Sequence, residues 1–211
     1  MKTTSYLVTE FFTLFILLPL SFAIDYPILL KAILAGFGFL YILFVLKRVE
    51  RISFGLGKNL AWKPFLKRMG ATFIVVAVVT TAFVLISDSS ALFYVPLNKP
   101  GLFFMILFVY TFLSVWPQEI IYRTFFMNRY ARLFKSKYLL VFINAVLFSL
   151  AHLFFRNTLV SVLTLIGGLL FALTFLKYKS TLFVSIEHAL YGNWLFTVGM
   201  GEMLAFPGME M

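Results

Sequence analysis

The chain has 211 residues, is 62% hydrophobic and only 12% charged, and carries a formal net charge of +10. A soluble domain is closer to half apolar with about a quarter of its residues charged, so this composition excludes an ordinary soluble fold and points to an integral membrane protein. Cysteine is absent, which excludes a disulfide framework, a thiolate metal site and a cysteine nucleophile.

Apolar runs predict helices over 7–24, 28–46, 71–92, 101–132, 138–155, 157–176 and 181–201. They make an all-α, polytopic transmembrane helical bundle of about seven spans, a single integral membrane domain over 1–211. The first run follows Met1-Lys2-Thr3-Thr4 and has no small-residue cleavage site after it, so it reads as a span rather than a signal peptide. Between the second and third runs, 47–70 mixes Lys47, Arg48, Arg51, Lys58, Lys63, Lys67 and Arg68 with Ile52, Phe54, Leu56, Leu60 and Trp62, a pattern that suits an interfacial segment. The fourth run, 101–132, would be about 48 Å long as a helix, against a hydrocarbon core of about 30 Å. It must tilt, kink or leave the membrane, and Pro117 is the expected kink. No internal repeat is visible.

The basic residues lie between apolar runs, as topology signals do, which argues against nucleic acid as the partner. Lys2, the 47–70 cluster, the group Arg129, Arg132, Lys135 and Lys137, and the pair Lys177 and Lys179 alternate with loops offering only Lys31, Lys99 and Arg156. The positive-inside rule then places the N-terminus in the cytoplasm and the C-terminus outside, as a multi-pass protein of a bacterial cytoplasmic membrane.

Both histidines of the chain fall inside these apolar runs: His152 closes Phe148-Ser-Leu-Ala-His152, and His188 opens His188-Ala-Leu-Tyr-Gly-Asn193. The fourth run adds Gln118-Glu119-Ile-Ile-Tyr-Arg123. Ionisable groups in hydrocarbon are costly and usually functional. Counted along ideal helices from the basic anchors, Glu119 lies about 20 Å deep, His152 about 22 Å, His188 about 14 Å and Asn193 about 21 Å. A shared depth is what one site on three helices requires. Glu119 and Arg123 share a helix face, as do His188 and Gly192, whereas Asn193 is rotated about 140° from His188. Asn193 could join His188 if the helix widened by a π-bulge, with Gly192 the natural place for one. Glu187 points about 100° away from His188 and is left outside the site.

A carboxylate beside imidazoles in a low-dielectric pocket can act as general base on water, while a second histidine and an asparagine donate to a tetrahedral oxyanion. Peptide or ester hydrolysis without a covalent intermediate follows, in a water-filled cavity reaching this depth. Separately, the Glu119–Arg123 pair could be a structural tie, each histidine a packing residue, and Asn193 an interhelical hydrogen bond. Glu119, His152 and His188 could also form a zinc site with an open water position, although no HExxH pair occurs, and no cofactor is expected. A small transporter using the intramembrane acid and histidines lacks a visible inverted repeat.

These motifs resemble the CPBP intramembrane proteases, the CAAX-protease and bacteriocin-processing (Abi) family, whose pattern is Glu-Glu-x-x-x-Arg, Phe-x-x-x-His and His-x-x-x-Asn or Asp on successive helices. The resemblance covers about 101–200. It implies a helical membrane endopeptidase whose glutamate activates water, formerly classed with metalloproteases, acting on a peptide or membrane-protein substrate in the bilayer. The chain departs from the pattern twice. Gln118 stands where the family has its first acid, and an amide cannot take a proton from water. One extra residue separates His188 from Asn193. The first departure also suits a non-catalytic binding or bacteriocin-immunity-like protein on the same scaffold.

Overall fold

A computed structural model describes residues 3–52 and 60–204. The described residues are helical with no strand: α1 Thr4–Phe22, α2 Ile28–Val49, α3 Trp62–Ser87, α4 Pro100–Arg129, α5 Lys137–Leu150, α6 Thr158–Tyr178 and α7 Thr181–Val198. Six of them are long and apolar enough to cross a membrane, α5 being counted with the short turn that carries it to Phe155. The seventh expected span, α7, is 18 residues long, but Glu187, His188 and Asn193 lower its apolarity. The chain is a multi-pass membrane protein.

Two compact units divide the chain, one of residues 1–56 and 118–177, the other of 57–117 and 178–211. The division falls between Pro117 and Gln118, inside α4. Two turns of α4 are widened to π geometry, Tyr110–Val115 and Ile120–Phe125, with Trp116–Glu119 as a short α stretch between them. Pro117 has no N–H to give the preceding turn, and a widened turn lets a helix pass such a gap. The expected irregularity near Pro117 is therefore built from two wide turns flanking the proline.

In the first unit, α1, α2 and the end of α4 meet at a buried ion cluster. Arg129 donates to Glu10 through Nε at 2.8 Å and Nη2 at 3.0 Å, and through Nη1 to Glu50. The Tyr130 hydroxyl donates to Glu10 at 2.9 Å, and the Tyr41 hydroxyl donates to the same carboxylate. Burial, then the Glu10 charge, pushes the Tyr130 hydroxyl far above the usual phenol range, so it remains a donor. Beside this cluster Phe15 is fully buried among Tyr122, Phe125, Phe126 and Tyr130. The α5–α6 hairpin is close: a Cβ on Gly168 would lie 3.0 Å from the Ala145 Cα, so a larger residue there would have to push the two helices slightly apart.

In the second unit, α7 lies against α3 through stacked Phe65 and Phe183 (4.1 Å) and a hydrogen bond from Trp194 Nε1 to Thr80 Oγ1 at 3.0 Å. Val95, Ile106 and Phe196 form a buried apolar cluster. Gly199 ends α7 with φ 105°, letting the Met200 N–H reach the Leu195 carbonyl at 2.8 Å.

Three expected boundaries differ. Helix α3 begins at Trp62 rather than near 71, so Lys63, Lys67 and Arg68 ride on its first turns. A helix can continue into water with charged residues, where an apolar count stops. The expected interfacial segment is thus partly this helix, while Phe54, Leu56 and Lys58 lie outside the described residues. The α geometry of α5 stops at Leu150, so His152 lies in the turn that follows, still inside the expected span, which runs to Phe155.

Candidate functional site

In the first unit, Glu119 and Arg123 are both fully buried, with Arg123 Nε 3.4 Å from Glu119 Oε2. The i, i+4 pairing read from the sequence is therefore made. Arg123 also lies over aromatic faces, its guanidinium carbon 4.7 Å from the Phe148 ring centre and 5.6 Å from that of Phe171. Such contacts help to hold a cation away from water. Asn144 fixes the wide turn that begins just after Glu119, donating from Nδ2 to the Tyr122 carbonyl at 2.7 Å. Gln118 is half-buried, one position before the fully buried Glu119.

His152 follows the end of α5 with φ −99° and ψ 3°, in the sparsely used bridge region where many active-site residues sit. Its Nδ1 lies 2.7 Å from the Phe148 carbonyl. A carbonyl only accepts, so Nδ1 carries the proton, and in the neutral ring Nε2 carries the lone pair. The His152 ring centre is 4.8 Å from that of Phe148. Phe148 therefore holds both groups: its ring faces Arg123 and His152, and its carbonyl sets the His152 tautomer. The sequence marks Phe148 only as a motif position. Its spacing of four before His152 is the signal for this role.

In the second unit, His188 is buried on α7. The Tyr110 ring meets it edge-on, with centres 6.0 Å apart and planes at 82°. Helix α7 is α-helical without interruption from Thr181 to Val198, so the widening that would turn Asn193 toward His188 is not present. Asn193 instead donates from Nδ2 to Thr111 Oγ1 at 3.0 Å. The widened turn is on α4, at Tyr110–Val115, rather than at Gly192. Glu187 is fully buried, 3.8 Å from Arg68 Nη1, and the Tyr191 hydroxyl lies 3.1 Å from its Oε1 and 3.2 Å from the Met69 carbonyl. That network ties α7 to α3.

Six sequence-derived residues thus fall into two groups: Gln118, Glu119, Arg123 and His152 in the first unit, His188 and Asn193 in the second. Among the described residues, no three His, Cys, Asp or Glu side chains are grouped so as to hold a metal ion. In the first unit Glu119 faces a guanidinium, which competes with a cation for the carboxylate.

Residues 99–194 match the family model of the Rce1-like proteins, type II CAAX prenyl endopeptidases. This stretch, a little under half of the chain, resembles that family. The Rce1-like stretch contains all six residues of the two groups, together with Tyr110, Asn144 and Phe148. It also contains both wide turns of α4. No curated protein and no solved structure matches the chain.

Proposed function

We propose that the protein is an intramembrane endopeptidase that hydrolyses peptide bonds with water activated by Glu119. The observation that carries this reading is the Glu119–Arg123–Phe148–His152 arrangement, lying within an Rce1-like stretch. The Glu119 carboxylate takes a proton from water, and the water oxygen adds to the scissile carbonyl carbon. The C–N bond then breaks, and the proton held by Glu119 passes to the leaving amine. His152 orients that water through Nε2, whose lone pair follows from the Nδ1–H donated to Phe148. Arg123 fixes the direction of the Glu119 carboxylate. His188 donates to the oxyanion of the tetrahedral intermediate. Gln118 hydrogen-bonds the water or substrate but takes no proton. No step requires a metal. The substrate is a peptide or membrane protein, and the activity of the Rce1-like endopeptidases makes a prenylated CAAX peptide the first to test. The N-terminus is cytoplasmic and the C-terminus outside, in a bacterial cytoplasmic membrane.

The test uses purified protein in proteoliposomes with an internally quenched CAAX peptide, farnesylated and unmodified. Glu119→Gln, His152→Ala and His188→Ala should each lose cleavage. Wild-type rates in all three variants defeat the reading.

A second reading is a non-catalytic binding or immunity-like protein on the same scaffold. It is favoured by the complete burial of Glu119 against Arg123 and by the amide at Gln118. Gln118→Glu separates the two: an inert wild type that gains hydrolysis on this change supports the second.

A further inference from the structure

Helix α7 presents His188, Gly192 and Phe196 at successive intervals of four, one strip along a single face. The ring of Tyr110 lies along this strip, edge-on to His188 at 6.0 Å and to Phe196 at 5.0 Å. Gly192 lies at the middle of the strip. A Cβ built there would fall inside 3.0 Å of the Tyr110 hydroxyl and of its ring carbons, closer than real Cβ atoms come. The phenol therefore occupies the space that a side chain at position 192 would fill.

That space has chemical meaning. It lies one helical turn from His188 on the same face, where a second hydrogen-bond donor would share an oxyanion with the imidazole. In the motif His-x-x-x-Asn an amide stands at this position, and here it is glycine. The nearby asparagine does not replace it: Asn193 is rotated about 100° from Gly192 on the uninterrupted helix, and its amide donates to Thr111. Tyr110 belongs to the widened turn Tyr110–Val115 of α4, where the helix departs from regular spacing.

We propose that Tyr110 is a catalytic residue: its hydroxyl, seated over Gly192, is the oxyanion donor paired with His188. Tyrosine supplies from α4 the donor that α7 lacks, and Gly192 is the cradle that admits it. This rests on the hydrolase reading above.

Tyr110→Phe removes the hydroxyl and keeps the ring on its strip. Cleavage of the quenched farnesylated peptide in proteoliposomes should fall about 10²–10³-fold in kcat, with KM and thermal stability near wild type. Glu119→Gln and His188→Ala run in parallel. If those two lose activity while Tyr110→Phe keeps it, the Tyr110 assignment is wrong and the hydrolase reading stands. If none of the three differs from wild type, or wild type does not turn over, both fail. A second construction tests the shared position directly. Tyr110→Ala with Gly192→Asn has room for the amide in the vacated space, and it should recover at least tenfold over Tyr110→Ala alone. A double variant no better than the single one overturns the idea that the two groups serve one place.

Discussion

Arg123 and Arg129 are both fully buried near the end of α4, yet they are held in opposite ways. Arg129 meets carboxylates from two other parts of the chain, Glu10 on α1 and Glu50 just after α2, through hydrogen bonds including those at 2.8 and 3.0 Å to Glu10. Tyr130 and Tyr41 donate to the same Glu10. Its burial is offset by tying three helices together. Arg123 is paired with Glu119 one turn away on its own helix, at 3.4 Å, which is longer than a charge-assisted hydrogen bond of about 2.7–2.9 Å. Arg123 also lies over the Phe148 and Phe171 rings, on α5 and α6. A buried carboxylate and guanidinium set one turn apart on a single helix are a candidate for chemistry, where the Glu10–Arg129 cluster is a tie between helices.

Substitutions can break this contrast. The largest effect is expected from Glu119→Gln, an isosteric change that should lower peptide hydrolysis about 10²–10⁴-fold and leave unfolding in detergent nearly unchanged. Arg129→Ala should do the reverse. It strands Glu10 and should destabilise the protein by about 3–5 kcal/mol, read from denaturant titration in micelles, while the folded fraction still cleaves. If Glu119→Gln costs as much stability as Arg129→Ala, the two arginines are alike and the contrast is lost. Asn144→Ala removes the hydrogen bond that fixes the wide turn after Glu119, and about 1 kcal/mol of stability should go with it. The smallest effect is expected from Thr111→Val, which deletes the acceptor of Asn193 and should cost about 0.6 kcal/mol. It should not change kcat, since Asn193 serves α7–α4 packing. A large loss of kcat would return Asn193 to the chemistry.

Hydropathy located the helices because burial in lipid demands apolar length. The predicted 28–46, 157–176 and 181–201 lie within a few residues of α2, α6 and α7. It failed where a helix continues beyond the apolar zone, at the start of α3, and it gave no sign that the α geometry of the fifth span stops at Leu150, before the span ends at Phe155. Nothing in Ala151-His152-Leu153 announces that stop. The i, i+4 contacts of Glu119 with Arg123 and of Phe148 with His152 were legible, because residues four apart stay close even where the turn is widened, as at Arg123, or the helix has just ended, as at His152. Tyr110 was not, since one tyrosine in an aromatic-rich run has no distinguishing signal. Gly192 held the clue, as an absent side chain marks a place taken by something else. The partnership of Glu10 with Arg129 was equally hidden, because it joins residues 119 positions apart.

That separation sets an order of assembly. Glu10 enters the membrane with the first helix, whereas the arginine that neutralises it is synthesised after three further helices. Until α4 arrives, the acid of the first span lacks its counter-charge and has only the Tyr41 hydroxyl of α2 to bond, which weakens its hold in the bilayer. Chains truncated before Arg129 should therefore be extracted from membranes by alkaline washing more readily than full-length chains, and Glu10→Gln should reverse the difference. A residue that ends as a fastener begins as a timer, leaving the N-terminal helix provisional until the Rce1-like half has been made.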